Sequence, residues 1–213
     1  LYAKPGPAGQ EQWFSALLNV SKKPCMLYNV PSRSGVTLSA QALANLQHHE
    51  NCWALKEASG DIAQFVAYKK ACPELQLFSG EDGLMPELAG LGARGLVSVS
   101  ANAWPEATHL YVRQCLDSAT DNVFPVWHQS IAALFTVANP IPVKVLMHEN
   151  GDIDKKNDDA GHWLSSVRPM ISSSMSQIID RISSRVGPKS ACFLISRRSA
   201  FTPRSANGRR YSL

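Results

Sequence analysis

A parallel α/β fold, as a barrel or an open sheet, is what this 213-residue sequence predicts. Three observations carry the prediction. Four short apolar runs recur at spacings of roughly 20 to 28 residues, as fully buried parallel strands do. Helix-like stretches fill the gaps, which implies βαβ units. The segments that follow the runs hold the chain's most distinctive side chains, and in parallel α/β folds function collects at the carboxyl ends of strands.

The first run is residues 24–30, Pro-Cys-Met-Leu-Tyr-Asn-Val, closed by Pro31. The second is 52–56, Cys-Trp-Ala-Leu-Lys. The third is 75–79, Leu-Gln-Leu-Phe-Ser, closed by Gly80. The fourth is 95–100, Gly-Leu-Val-Ser-Val-Ser. Between them, residues 10–20 place Trp13, Phe14, Leu17 and Leu18 on one helical face. Ser39 is an N-cap for a helix over 40–47, and Asp61 for one over 62–71. A helix over 84–91 ends at Gly92, a C-cap residue. Past the fourth run the alternation stops. Residues 105–116, with Pro105 in the favoured first turn, 122–137 and 142–148 read as consecutive helices.

The net charge of +4 belongs to one end of the chain. Residues 1–144 carry 10 Lys/Arg against 11 Asp/Glu, and residues 145–213 carry 11 against 6. The main body therefore has no electrostatic case for binding nucleic acid or a membrane surface. No apolar run approaches the roughly 20 residues that span a bilayer, and no secretory signal is expected. Five scattered cysteines without a CxxC pair suit reduced thiols in the cytoplasm. The six histidines form no i,i+4 pair, so no structural metal site is expected. From about residue 150 the chain turns rich in Ser and Arg, with eight basic and no acidic residues from Arg181 onward, the composition of a poorly ordered tail. A short helix near 175–182 is the one regular element expected there.

Lys56 is the most informative residue. It ends an apolar strand, where its ammonium charge is costly to desolvate. Desolvation favours the neutral amine, a nucleophile able to form a Schiff base with a carbonyl substrate. A lysine that snorkels over the strand end is the plainer alternative. Tyr28 lies at the equivalent end of a strand that could be its neighbour, and a phenol beside an amine can shuttle protons. Arg33 offers a fork suited to a carboxylate, and Gly80 allows close approach to the backbone. Each has an ordinary structural role as well; their joint placement makes the case.

Five motifs, in order, resemble the signature of the 4-hydroxy-tetrahydrodipicolinate synthase (dihydrodipicolinate synthase) family. They are Leu27-Tyr28-Asn29-Val30-Pro31-Ser32-Arg33-Ser34-Gly35-Val36, Leu55-Lys56-Glu57-Ala58-Ser59-Gly60, Phe78-Ser79-Gly80-Glu81-Asp82, Gly95-Leu96-Val97-Ser98-Val99-Ser100-Ala101-Asn102 and Asn139-Pro140-Ile141-Pro142-Val143-Lys144. The resemblance runs from residue 1 to about 148. It implies a (β/α)8 TIM barrel of which this chain holds the C-terminal half, strands five to eight, followed by helices. The expected organisation is a partial barrel over 1–103, a helical region over 104–149 and a divergent tail over 150–213.

The resemblance also implies roles. Lys56 would form the Schiff base with pyruvate, and Tyr28 would donate and accept protons. Tyr2 would reach into a neighbouring subunit's site as part of a proton relay. Arg33 would orient L-aspartate 4-semialdehyde, and Gly80 with the backbone of Val97 would line the pyruvate pocket. The product would be 4-hydroxy-tetrahydrodipicolinate, on the route to lysine and diaminopimelate. The family is usually a homotetramer and needs no metal or organic cofactor.

The family's Thr-Thr segment and most of its lysine feedback site belong to the half that this match lacks. Leu1 stands where many relatives have a second tyrosine. The composition change past His148 suggests a frameshift, a misassembled frame or a degenerate gene. Two alternatives accompany the enzyme. N-acetylneuraminate lyases and 2-keto-3-deoxy-sugar aldolases share the lysine and tyrosine but usually lack the arginine of Pro-Ser-Arg. An inactive half barrel would expose raw sheet edges and uncovered apolar surface.

Overall fold

Local capping chemistry sets the helices of the computed structural model, which describes residues 3–118 and 124–153. The Ser39 hydroxyl accepts from the Ala42 N–H at the start of a helix over Ala40–Leu46. The Asp61 carboxylate accepts from the Ala63 N–H at 2.8 Å and opens one over Ile62–Ala71. Both caps stand where the sequence places them. In chain order the elements are α1 (Pro7–Val20), β1 (Cys25–Asn29), α2 (Pro31–Ser34), α3 (Ala40–Leu46), β2 (Cys52–Glu57), α4 (Ile62–Ala71), β3 (Gln76–Ser79), α5 (Met85–Gly90), α6 (Pro105–Leu116), α7 (Phe124–Leu134) and α8 (Ile141–Glu149). A 3-10 turn covers Ser100–Asn102.

The sheet is parallel, in the order β1-β2-β3, as expected of βαβ units. The fourth predicted strand is reduced to one parallel bridge, Ser79 to Leu96. The Ser79 N–H donates to Gly95 O, and the Val97 N–H donates to Ser79 O. Beyond Val97 the chain leaves the ladder, because the hydroxyl of Ser98 and the amides of Val99 and Ser100 bond the Asp82 carboxylate instead. Polar side chains that capture nearby backbone compete with sheet formation in this way.

Register decides what each face carries. Leu27, Leu55 and Leu77 lie side by side, as do Tyr28, Lys56 and Phe78 one residue on. Successive side chains of a strand alternate faces. The leucine row is buried with Leu43, Leu46, Phe65 and Tyr68 of α3 and α4, and these residues form the core. Fully burying each such side chain stabilises by about 1.5–3 kcal/mol. The Tyr28–Lys56–Phe78 row is only partly covered. This corrects the expectation of strands buried on both faces: among the described residues, three strands and a bridge supply no opposing barrel wall for that row.

The outer helices α1 and α4 both pack on α3. α1 is fixed by Gln10, whose Nε2 donates to Thr37 O at 3.0 Å and whose Oε1 accepts from the Ser39 N–H at 2.7 Å. Its predicted apolar face is only partly used. Leu18 is buried, whereas Trp13, Leu17 and Val20 are 62%, 46% and 77% exposed. α1 therefore presents an uncovered apolar stripe, and β1 is the edge strand of the described sheet.

The chain divides into two units, Leu1–Val143 and Lys144–Leu213. All the packing above lies within the first. In the second, a left-handed Gly151 follows the end of α8, and the Asp152 N–H donates to Met147 O at 2.8 Å. The expected tail lies outside the described residues beyond 153, as does the helix expected near 175–182. α7 begins at Phe124; the earlier start expected at 122 also falls outside them.

Candidate active site

The site is assembled at the carboxyl ends of β1, β2 and β3. Tyr28 and Lys56 are paired across β1 and β2. The Lys56 Nζ stands 4.4 Å from the centroid of the Tyr28 ring, a cation–π contact when the amine is charged. Desolvation lowers the Lys56 pKa, while the negative charges of Asp82 and Glu81 act in the opposite direction. Tyr28 is 46% exposed, yet partial desolvation still pushes its phenol up, against the pull of the Arg33 guanidinium and with the help of Glu81. Burial likewise raises Glu81, reinforced by Asp82 and offset by Lys56. The amine, the phenol and two carboxylates thus share one electrostatic neighbourhood.

Gly80 is explained by the space around it. A Cβ there would lie 2.4 Å from the Ala58 Cβ, 2.9 Å from the Lys56 Cε and 3.0 Å from Glu57 O. Its N–H donates to Glu57 O at 2.6 Å, which ties the ends of β2 and β3 together. Glycine is required because the Ala58 methyl and the Glu57 carbonyl, with the Lys56 stem alongside, leave no room for a side chain. Val97 follows immediately after the bridge, with its N–H committed to Ser79 O. Arg33 sits on α2 with its side chain exposed, and its Nη2 donates to Asn139 O at 3.2 Å. That bond connects the Pro-Ser-Arg motif to the Asn139-Pro140 motif. Tyr2 lies outside the described residues.

Three structural supports of the candidate site are missing from the sequence reading. Glu57, 2% exposed, accepts from Asn29 Nδ2 at 2.7 Å and from the Ser59 N–H at 2.6 Å. Asn29, also 2% exposed, accepts the Leu38 N–H through Oδ1 at 2.9 Å. This pair lies on the opposite face from Tyr28 and Lys56 and locks the two strand ends on which they sit. Asp82 is the third support. Only its position within the Gly80-Glu81-Asp82 motif hinted at a role; its partners lie 16 and more residues away.

Chemically, a desolvated amine beside a phenol can attack a carbonyl carbon and pass protons during loss of water. Among the described residues, no group of His, Cys, Asp and Glu side chains is placed to hold a metal ion, and no helix is long and apolar enough to cross a membrane. Cys25, Cys52, Cys72 and Cys115 are free thiols, and burial pushes Cys52, Cys72 and Cys115 up to about 11.

Fold and site together define a parallel α/β protein that presents an amine–phenol pair at its strand ends. The chain belongs to the dihydrodipicolinate synthetase family, whose model matches residues 1–157. It is 54% identical over 151 residues to the 4-hydroxy-tetrahydrodipicolinate synthase of Francisella tularensis subsp. novicida (strain U112), a match covering 70% of this chain and 51% of that protein. It is 46% identical over 156 residues to the synthase of Wolbachia pipientis subsp. Culex pipiens (strain wPip), covering 73% and 53%. The chain spans about half the length of the curated relatives it matches. Among solved structures it resembles the chloride-inhibited dihydrodipicolinate synthase of Acinetobacter baumannii complexed with pyruvate, with a TM-score of 0.71, 30% identity and coverage of 81% of this chain and 62% of that one. The synthase of Methylacidiphilum fumariolicum SolV gives a TM-score of 0.74 at 26% identity, covering 86% and 64%.

Proposed function

We propose that this chain carries the Schiff-base half of a 4-hydroxy-tetrahydrodipicolinate synthase, equivalent to strands five to eight of a (β/α)8 barrel. The Lys56 amine attacks C2 of pyruvate, water leaves, and an imine forms. Loss of a proton from C3 gives the enamine, whose carbon attacks the aldehyde of L-aspartate 4-semialdehyde. Tyr28 carries protons in these steps, relayed through Tyr2 from a neighbouring subunit of a cytoplasmic homotetramer. Arg33 receives the second substrate's carboxylate. Gly80 and the backbone of Val97 line the pyruvate pocket. The observation that supports this reading best is the Lys56 Nζ held over Tyr28, with a pKa lowered by desolvation.

Borohydride reduction in the presence of pyruvate tests it. The expected result is a reduced pyruvate adduct on Lys56, identified by peptide mass. Because desolvation lowers the amine's pKa, the neutral fraction rises through a pH range below that of an ordinary lysine, about 10.4. The trapping rate should climb with pH and level off before that value. Folded protein that gives no adduct would sink the reading. The uncovered stripe of Trp13, Leu17 and Val20 on α1, together with the edge position of β1 in the described sheet, favours a second reading, a non-catalytic fragment, for which that absence is the expected outcome.

Arg33→Ala separates the proposed second substrate from those of related lyases. The variant should keep pyruvate trapping. In the complete synthase, its KM for aspartate semialdehyde should rise by roughly ten- to a hundredfold, the loss of a charge-assisted hydrogen bond. Unchanged semialdehyde kinetics would overturn that assignment.

A further inference from the structure

The Asp82 carboxylate is 1% exposed and heavily bonded. Oδ1 accepts from the Ser98 hydroxyl, from the Ser100 hydroxyl at 2.5 Å and from the Ser100 N–H at 3.0 Å. Oδ2 accepts from the Val99 N–H at 3.1 Å. The Ser100 hydroxyl is also 3.1 Å from that of Thr108 on α6. The main chain of the same residue is held from the other side. Its carbonyl accepts the Tyr111 hydroxyl of α6 at 3.1 Å and the Trp127 indole N–H of α7 at 3.4 Å. Those two rings stack with centroids 4.4 Å apart. One residue therefore joins the end of β3, the segment after the bridge, and two helices.

We propose that Asp82 is a positioning residue for the Lys56 site, holding the backbone after Val97 beside Gly80 and coupling that edge to α6 and α7. This rests on the Schiff-base reading above. Without the carboxylate, the Val99 and Ser100 amides lose their acceptor. The segment is then free to drift from the strand ends where the pyruvate pocket is proposed. A hydrophobic filler would leave those donors unpaired, so the position demands an acceptor with two oxygens. The Asp82 charge also bears on Lys56 directly. Tyr28 of β1 lies under that amine, and the charges of Asp82 and Glu81 from the turn after β3 act on it through space, while Glu57 on its own strand lies on the opposite face.

The test compares the full chain with Asp82→Asn and Asp82→Ala by amide hydrogen exchange and by borohydride trapping with pyruvate. Asp82→Ala should speed exchange at Val99 and Ser100 by roughly tenfold or more, the loss of hydrogen bonds to a charged acceptor. Exchange at Leu55 and Leu77 should stay as in the parent chain. Asp82→Asn, which keeps one acceptor oxygen, should restore part of that protection. In trapping, both variants should need a higher pyruvate concentration for half-maximal rate. Asp82→Asn should also shift the pH profile to lower pH, because a charge that favours the ammonium form is gone. A role confined to stability would leave that profile in place.

Two results overturn the proposal: unchanged exchange at residues 98–101 in Asp82→Ala, or trapping by Asp82→Asn with the parent's pyruvate dependence and pH profile. If the parent chain itself forms no adduct, the Schiff-base reading fails, and Asp82 with it as a site residue. The exchange arm then still decides whether it holds the segment. If Asp82→Ala does not fold, Ser98→Ala with Ser100→Ala removes the two hydroxyl donors to the same carboxylate and should reproduce the higher pyruvate requirement.

Discussion

Gly80→Ala is expected to destabilise the protein and displace Lys56 together. The new methyl group would meet the Ala58 Cβ at 2.4 Å and the Lys56 Cε at 2.9 Å. The backbone cannot retreat cheaply, since the Gly80 N–H is bonded to Glu57 O at 2.6 Å. Overpacking costs typically 1–3 kcal/mol, and contacts this close belong at about 3 kcal/mol. For a chain of this size that corresponds to a fall in Tm of roughly 6–12 °C. Of the three neighbours, the lysine stem is the flexible one, so part of the strain goes into moving Nζ away from the Tyr28 ring. The pyruvate trapping rate should drop by roughly ten- to a hundredfold, the larger figure being the order of effect of a misplacement near 1 Å. Urea midpoints and trapping rates measured on the same preparation check both. A variant with the parent's midpoint and rate would show that the strand ends are looser than this packing implies.

Lys56→Arg should abolish imine formation while leaving the fold intact. Arginine keeps the positive charge and a long apolar stem that can follow the same path past Gly80. Its guanidinium does not deprotonate in proteins, so no nucleophile remains at the strand end. Removing a nucleophile typically costs several orders of magnitude, and trapping should fall by on the order of 10^3-fold or more. The urea midpoint should move little, because the stem is only half-buried. Adducts that persist in the variant at the rate of the parent would place the reactive amine elsewhere in the chain.

Much of this fold was legible because its causes are local. Ser39 and Asp61 cap the helices they precede because a short oxygen-bearing side chain reaches the first free N–H groups whatever surrounds it. Pro105 starts α6 because its ring suits a first turn. The pairing of Tyr28 with Lys56 was also accessible, since both stand at the ends of apolar runs followed by loop-like residues. The fourth run joins the sheet as a single bridge rather than as a full strand. Its composition suits one, but residues 98–100 are claimed by a carboxylate 16 to 18 residues earlier. The apolar face of α1 stands where the sequence places it, yet only Leu18 of it is buried, because amphipathicity states what could be buried and not what is present to bury it.

The sequence by itself determined the parallel α/β order, the helix caps, the family and the place of a lysine and a tyrosine at neighbouring strand ends. These depend on residue type, short-range spacing and motif order. Only the tertiary structure decided that Lys56 lies over Tyr28, that Gly80 must lack a side chain, that Glu57 and Asn29 lock the strand ends, and that Asp82 gathers the segment after the bridge. Each of those is a contact between residues far apart in the chain. Its energy is set by distance and burial, which chain order leaves open until the strands fall into register.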